Sequence, residues 1–526
     1  MVRDLSRFLI PILAVTFLTI HGTHSANILG LFPSLSPSHL IISMSAAKVL
    51  TERGHNVTVV SVLEPTITHK NIHLVQVPMT KEEIKQRSET IGAKQKNNSS
   101  NRLTSILNMS SQMDSMLKKM ADVFKDERVK NLYLNKGNHF DLVISGYFMN
   151  DYQLGFARKV NAPVIVLAPG PPSQMLNYLI GNPHDVVEKD KDMSFGQRLD
   201  GYITSLFYQV FVRQIDQRNR QFYKELFADD PNMPEYSEML KNTSLVFFCS
   251  HAASEGSIRA NVPAAIEIGG IQIKDKPDVL PKNIEDFLGN ATDGAILLSL
   301  GSNVQGSHIK SDTVEKMFKV LSKLKQRVIW KWEDLEKTPG HSDNILYSRW
   351  LPQDDILAHP NIKLFINHAG KGGITESQYH GKPMLSLPVF GDQPSNAFAM
   401  AKNGFGLTLS LLSLEEKPFE EAIEEILPNP KYSQKVAQFS SLYRDRPTSA
   451  RESVVFWTEY VIRHHGAAHL QSPLVHMDFV AANNLDIHVL FAALLVGILI
   501  LIKALVQYIF KTLISKISRV TKVKKH

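Results

Sequence analysis

The chain has 526 residues, enough for two domains of ordinary size. With 43% hydrophobic and 21% charged residues it reads as a globular protein with a real core, which excludes a disordered or fibrous chain. Its formal charge of +7 does not argue for a nucleic-acid partner. Residues 503–526 carry seven Lys or Arg and no acid, residues 1–25 add a net +1, and the body between is close to −1.

In chain order, Arg3 and Arg7 precede an apolar run (8–20) and small residues at Thr23 and Ser25. That is the pattern of a secretory signal, segment 1–25, cut after Ser25; an uncleaved anchor is the alternative, for which the run is short. Strand-like runs follow at 28–32, 57–62, 73–78, 141–145, 163–169 and 245–250. Between the first two, residues 38–54 read as a helix capped by Ser38 and closed by Gly54. Residues 195–227 are amphipathic and aromatic-rich. They suit a helix packed on its domain, or one that touches a membrane. After a polar linker (274–285), strand-like runs resume at 295–300, 327–332, 345–350, 363–367, 384–388 and 406–410. Val314, Met317, Phe318, Leu321 and Leu324 trace one helical face after the first of these. The alternation predicts an α/β protein with two Rossmann-like, doubly wound domains, 26–273 and 286–448, whose ligands sit beyond the carboxyl ends of the strands.

Residues 449–488 hold a helix and a juxtamembrane stretch, 489–510 an apolar run of bilayer length, and 511–526 a basic tail. Lys503, toward the basic side of the run, can snorkel. Basic residues after the span predict a single-pass type I protein with its body lumenal. The tail ends Lys522-Val523-Lys524-Lys525-His526, the K-x-K-x-x dilysine pattern that coat proteins read as an endoplasmic reticulum retrieval signal. The lone Cys249 allows no intrachain disulfide. Sequons at Asn56, Asn97, Asn98, Asn108, Asn242 and Asn290 suit a lumenal glycoprotein. Asn56 leads straight into a strand and is expected to stay unmodified, whereas Asn97, Asn98 and Asn108 are better acceptors.

The most informative stretch is 349–396, RWLPQDDILAHPNIKLFINHAGKGGITESQYHGKPMLSLPVFGDQPSN. It reads as strand, glycine-rich turn, helix, strand and acid–amide pair. Helix-start N–H groups and the helix dipole favour a phosphate at 368–373. His368 adds a donor there, and Glu376, one turn on, is placed to accept ribose hydroxyl hydrogens. The pattern W-x-P-Q, H-x-G-x-x-G-x-x-E, P-x-x-x-D-Q falls at Trp350, Pro352, Gln353, His368, Gly370, Gly373, Glu376, Pro388, Asp392 and Gln393. In this it resembles the signature of the membrane-bound UDP-glycosyltransferases (glycosyltransferase family 1), a resemblance that extends more weakly over nearly the whole chain.

The resemblance implies the two-domain architecture called GT-B, a helix at 449–464 that crosses back to the first domain, and a role for each residue. Trp350 stacks on uracil, a core position being the alternative, as favoured for Trp330, Trp332 and Trp457. Gln353 contacts the uridine. The Gly301-Ser302 turn faces the diphosphate, His368 donates to it, and Gly370 and Gly373 let backbone approach it. Glu376 holds the ribose. Asp392, Gln393 and Asn396 meet the transferred sugar, with a helix cap as a compatible role for Asp392. His39, at a strand-to-helix junction, matches the family's general base. The Asp that orients this base in many relatives falls on Gly146, and Asp151 is the nearest carboxylate downstream. Tyr147, Phe148, Met149, Met175 and Tyr178 can line an apolar acceptor pocket or pack the core equally well, and the 195–227 helix is a further candidate for that lining. Asp190-Lys191-Asp192 reads as a solvated loop and not a D-x-D metal motif; no metal or cofactor is expected beyond the UDP-sugar co-substrate. The expected function is inverting transfer of a hexose, glucose by preference, to a small lipophilic acceptor in the endoplasmic reticulum, as in detoxification; self-association is left open. The other class is a non-catalytic UDP-sugar-binding membrane protein, kept open by Gly146.

Overall fold

The computed structural model describes residues 25–96, 102–183, 193–254, 260–302, 304 and 306–523. The signal segment up to residue 24, Asn97, Asn98, the 190–192 run and the last three residues lie outside them. One unit runs to Gln471 and a second from Ser472.

The first unit is built on two sheets. Most of the strands are runs of Val, Ile and Leu buried on both faces, and they pair in parallel because helices cover both faces. Strands β1 (Asn27–Phe32), β2 (Asn56–Ser61), β3 (Ile72–Gln76), β4 (Leu142–Gly146), β5 (Val164–Ala168), β6 (Thr243–Phe248) and β7 (Ala265–Glu267) assemble in the order β3-β2-β1-β4-β5-β6-β7. Strands β8 (Ala295–Ser299), β9 (Arg327–Lys331), β10 (Ile345–Ser348), β11 (Ile362–Asn367), β12 (Met384–Ser386) and β13 (Gly406–Thr408) take the order β10-β9-β8-β11-β12-β13. Each sheet reverses its winding once, between β1 and β4 and between β8 and β11, and such points open the crevices where ligands bind. The second sheet shows why it is stable. Ile296, Leu298, Trp330, Leu364 and Ile366 face one core, while Ala295, Leu297, Ile329, Phe365 and Met384 face another. Each large side chain so buried stabilises by about 1.5–3 kcal/mol.

The expected α/β class and paired sheets are present, and the details differ in places. The helix after β1 is Pro37–Glu52, with Ser36 at its N-cap position and Arg53 at its C-cap. Ser38 therefore lies inside the first turn: Pro37, pre-set for a first helical position, moves the boundary back. Strand β7 extends the first sheet where no strand was expected. At 3 residues it is too short to show a period. Asn56 opens β2 and donates to Ser25 and Asn27; Asn108 sits in the helix Arg102–Val123.

The linker is pinned to the second domain. Asp354 and Asp355, on the helix Gln353–Ala358, accept from Lys274 N at 2.9 Å and Lys274 Nζ at 2.6 Å respectively. The helix Ala450–Arg463 returns to the first domain, with Ala450, Val454 and Val461 in its core and Arg451 donating to Glu52 at 2.8 Å. The second unit contains the helix Leu485–Val523, whose stretch Leu485–Lys516 is long and apolar enough to cross a membrane; this is longer than the expected 489–510.

Candidate active site

The glycine-rich turn follows β11 at the winding reversal of the second sheet. Asn367, the last strand residue, accepts from Ala369 N at 2.8 Å and from Ser386 Oγ at 3.0 Å. Ala369 takes the left-handed conformation, φ +60°, which costs a non-glycine residue about 1–2 kcal/mol. The Asn367 bond and a bond from Asn396 Nδ2 to Ala369 O (3.1 Å) hold it there. Gly370 then caps the helix Lys371–His380.

His368 is wedged between two glycines. A Cβ on Gly301 would come within 2.4 Å of its ring, and one on Gly370 within 2.3 Å. Gly301 also needs its freedom for φ +78°. Burial, with the Lys331 charge second, pushes the imidazole down to about 4, so it is neutral near pH 7. Its Nδ1 is buried with no partner among the described residues. Lys331, at the end of β9, donates to Gly301 O at 3.0 Å and pairs with Glu333, which accepts from Gly306 N. The turn after β8 and the turn after β11 therefore share one frame around a neutral imidazole and a helix N-terminus, an arrangement that binds anions.

Glu376 lies about one helical turn on. Gln353 Nε2 donates to Glu376 Oε2 at 2.6 Å, and Gln272, from the loop after β7, also donates to that carboxylate. Desolvation, helped by the Asp354 charge, pushes Glu376 up to about 8. Trp350 is 52% exposed, while Trp330 and Trp332 are buried in the sheet core. Gly373 has its Cβ position 3.3 Å from Phe365, so the turn there leaves little room.

At the acid–amide pair, Gln393 is buried and its amide oxygen accepts from Val389 N (2.8 Å) and Phe390 N (3.1 Å). That oxygen supports the turn, which leaves only the NH2 group for a ligand. Asp392 occupies the N-cap position of the helix Gln393–Lys402 but makes no cap bond; its exposed carboxylate accepts from Asn396 at 2.6 Å.

In the first domain His39 stands in the first turn after β1, half-buried. Its Nδ1 meets Ser34 Oγ at 3.4 Å and its ring lies 5.2 Å from Phe148. Burial alone lowers it to about 4. Asp151 does not supply the missing acid: its carboxylate accepts from Tyr178 Oη at 2.9 Å, and burial raises it to about 7. The reason is local. Asp151 opens a short 3-10 turn, buried at 5% exposure, that carries its side chain toward Tyr178. Nor does Gly146 leave room, since a Cβ there would meet Phe32 at 3.0 Å and the Leu31 carbonyl at 3.2 Å. Of the aromatic set, Tyr147 and Met175 belong to the core, Phe148 flanks His39 and Tyr178 is partly exposed. Among the described residues no three His, Cys, Asp or Glu gather into a metal-binding group.

Sequence reasoning did not find Ser34, Gln272, Lys331 or Asn367. Lys331 and Asn367 were within reach, because both end strands of the second sheet on the side where ligands bind. Ser34 and Gln272 lie in loops whose course only the fold reveals.

Comparison with known proteins agrees with this geometry. The family model described as UDP-glucoronosyl and UDP-glucosyl transferase matches residues 31–520. UDP-glucosyltransferase 2 of Dactylopius coccus is 32% identical over 88% of this chain and 89% of its own length. Human 2-hydroxyacylsphingosine 1-beta-galactosyltransferase is 28% identical over 88% and 85%. The crystal structure of glycosyltransferase VinC in complex with DTDP shares the fold, with a TM-score of 0.53 over 84% of this chain and 99% of that one, at 16% identity. The chain belongs to the UDP-glucuronosyl and UDP-glucosyl transferase family and is a UDP-glycosyltransferase.

Proposed function

We propose that the protein transfers a hexose, glucose by preference, from a UDP-sugar to a hydroxyl of a small lipophilic acceptor, inverting the anomeric centre. The observation that carries this is the His368 ring held between Gly301 and Gly370 at the head of the Lys371–His380 helix. The diphosphate lies against those N–H groups, uracil stacks on Trp350, the ribose hydroxyls donate to Glu376, and Asp392 with the Gln393 NH2 group and Asn396 meets the hexose. His39 takes the acceptor proton as the acceptor oxygen attacks C1 and the bond from C1 to UDP breaks. The helix amides and His368 receive the charge that develops on UDP, with no metal needed. A general base contributes roughly 10²–10⁴-fold. One held near 4 works best on acceptors whose own hydroxyl is acidic, such as phenols. The body is lumenal, the Leu485–Lys516 stretch spans the endoplasmic reticulum membrane, and the dilysine tail binds coat proteins. A detoxifying role fits such acceptors.

The test is UDP release by the purified full chain against a panel of UDP-sugars and phenols. Transfer by the parent chain, with His39→Ala binding UDP equally well and transferring at least 100-fold more slowly, supports the reading. The absence of a carboxylate at His39 favours a second reading, a UDP-sugar-binding protein without catalysis. Tight UDP binding with no transfer by either chain decides for it.

A further inference from the structure

His39 receives no carboxylate from either candidate position. Gly146 leaves no room for a side chain, and Asp151 accepts from Tyr178. One hydroxyl and one phenyl ring stand at the imidazole instead. Ser34 Oγ, which already accepts from Ser36 N, lies 3.4 Å from Nδ1, at the long end of hydrogen bonding. Such a contact engages one nitrogen and leaves the ring free to swing. The Phe148 ring lies 5.2 Å away between centroids, tilted by 50°. Two rings at that separation are in packing contact, so neither turns without displacing the other.

The loop that carries Phe148 is held from below by buried amides. Phe148 N donates to Asn150 Oδ1 at 2.7 Å, and Asn150 Nδ2 donates to Gln153 Oε1 at 2.9 Å. Gln153 Nε2 in turn donates to Gly146 O at 2.9 Å and to Ser145 Oγ. The run begins on an N–H and ends on a carbonyl, so both amides face one way only. Asn219, on the helix Phe195–Phe227, closes the other side: it donates to Met149 O at 2.9 Å and accepts from Tyr152 N at 3.2 Å. Asn150, Gln153 and Asn219 are at most 1% exposed. Met149, between the two sets of bonds, takes φ +61°. A non-glycine residue keeps that conformation where its surroundings over-determine it. A buried polar network with its bonds made is rigid, and this one fixes the backbone on both sides of Phe148.

We propose that Phe148 is a positioning residue for the transfer reaction: buried amides fix the loop, the loop fixes the phenyl ring, and the phenyl ring holds His39 toward the acceptor, the task a carboxylate would otherwise perform. This rests on the reading of His39 as the base. A phenyl ring differs from a carboxylate in two ways. It orients the imidazole without stabilising the imidazolium, and it keeps water off it. Desolvation is accordingly what lowers His39 to about 4. The base is well placed and weak, which matches acidic acceptors.

The experiment uses the full chain in detergent. It measures kcat and KM with a phenol, UDP affinity by calorimetry, and the charge of His39 by NMR of 13C-labelled histidine, its signal identified by loss in His39→Ala. Phe148→Ala is expected to lower kcat roughly 10- to 100-fold, with KM and UDP affinity little changed. At about pH 5.5 its imidazole should be protonated where that of the parent is neutral. Phe148→Tyr keeps a ring and should stay within about threefold of the parent. Asn150→Ala should lower kcat roughly tenfold alone and add nothing in the Phe148→Ala chain, because both act through one ring. In a His39→Ala background neither change should matter. A raised KM with kcat kept makes Phe148 a wall of the acceptor site and overturns the inference. So does an imidazole still neutral in Phe148→Ala, or an Asn150→Ala effect that adds in full to that of Phe148→Ala. Loss of UDP binding in step with kcat shows a general structural role and also overturns it. A parent that binds UDP and transfers no sugar removes the base, and the inference falls with it; transfer intact with the imidazole unmoved refutes the inference alone.

Discussion

The geometry of the glycine-rich turn reduces to one ring and the two glycines that make room for it. Gly370 has φ −66°, so its backbone tolerates alanine; what does not is the His368 Nε2 atom 2.3 Å from the added Cβ. Overpacking of this kind costs about 1–3 kcal/mol. Gly370→Ala is therefore expected to keep the fold and weaken UDP binding roughly 5- to 150-fold, measured by calorimetric titration. Unchanged affinity would mean that the ring does not sit where the two glycines place it. At His39 the orienting group is a hydroxyl. A neutral hydrogen bond contributes about 0.5–1.5 kcal/mol, so Ser34→Ala should lower kcat roughly 2- to 12-fold with KM little changed. The acid limb of kcat/KM for the parent should fall near pH 4, where desolvation holds the imidazole; a limb at pH 6–7 would refute a base lowered by desolvation. The motif residues were legible in the sequence because their spacing follows the strand–turn–helix geometry. The hydroxyl at Ser34, the amide at Gln272 and the role of Asp151 were not, because each is decided by a contact between segments far apart in the chain or by the course of a loop.

At the level of elements, twelve of the thirteen strands among the described residues were legible as apolar runs, and the helix Phe195–Phe227 agrees with its expected limits at both ends. Continuous Val, Ile and Leu runs mark strands buried on both faces, and nothing competes with that signal. Strand β7 and the start of the Pro37–Glu52 helix were missed for opposite reasons: one is too short to carry a period, and the other starts at a proline that displaces the serine cap. The helix Ala450–Arg463 is legible as a helix, and its destination is expected from the family resemblance and not from its amphipathic face, which does not say which domain it covers. The structure gives it to the first domain, where Val454 is fully buried. Val454→Ala removes two methyl groups and leaves a cavity, which costs about 2 kcal/mol. The expected result is a lower denaturation midpoint with an unchanged slope. A midpoint unaltered by this change would show that the helix is not part of the folded body.

For the molecule as a whole, burial of titratable groups sets a pH window for stability that composition does not reveal. His39, His251 and His368 are lowered from 6.5 to about 4 by desolvation. A histidine lowered in this way is stabilising above pH 6.5, and the stability is lost as pH falls toward 4, because the unfolded chain takes up the proton first. Two carboxyls act in the opposite sense. Asp151 is raised from 3.8 to about 7 and Glu376 from 4.5 to about 8. Each keeps its proton longer in the folded chain, so stability falls as pH rises from the lower value to the higher. Each proton of difference is worth about 1.4 kcal/mol per pH unit. From pH 4.5 to 6.5 three rising contributions exceed two falling ones; above 6.5 only the falling ones remain, and between 7 and 8 Glu376 stands alone among these five. The thermal midpoint of the UDP-free chain in detergent is therefore expected to peak near pH 6.5 and to decline toward 8. Glu376→Gln has no proton to lose, so it should remove the decline between 7 and 8 and steepen the rise from 4.5 to 6.5, where three rising contributions then face one falling one. Should the variant decline as steeply as the parent, the carboxyl at 376 is already ionised, and the desolvated surroundings that raise it do not form in the ligand-free chain.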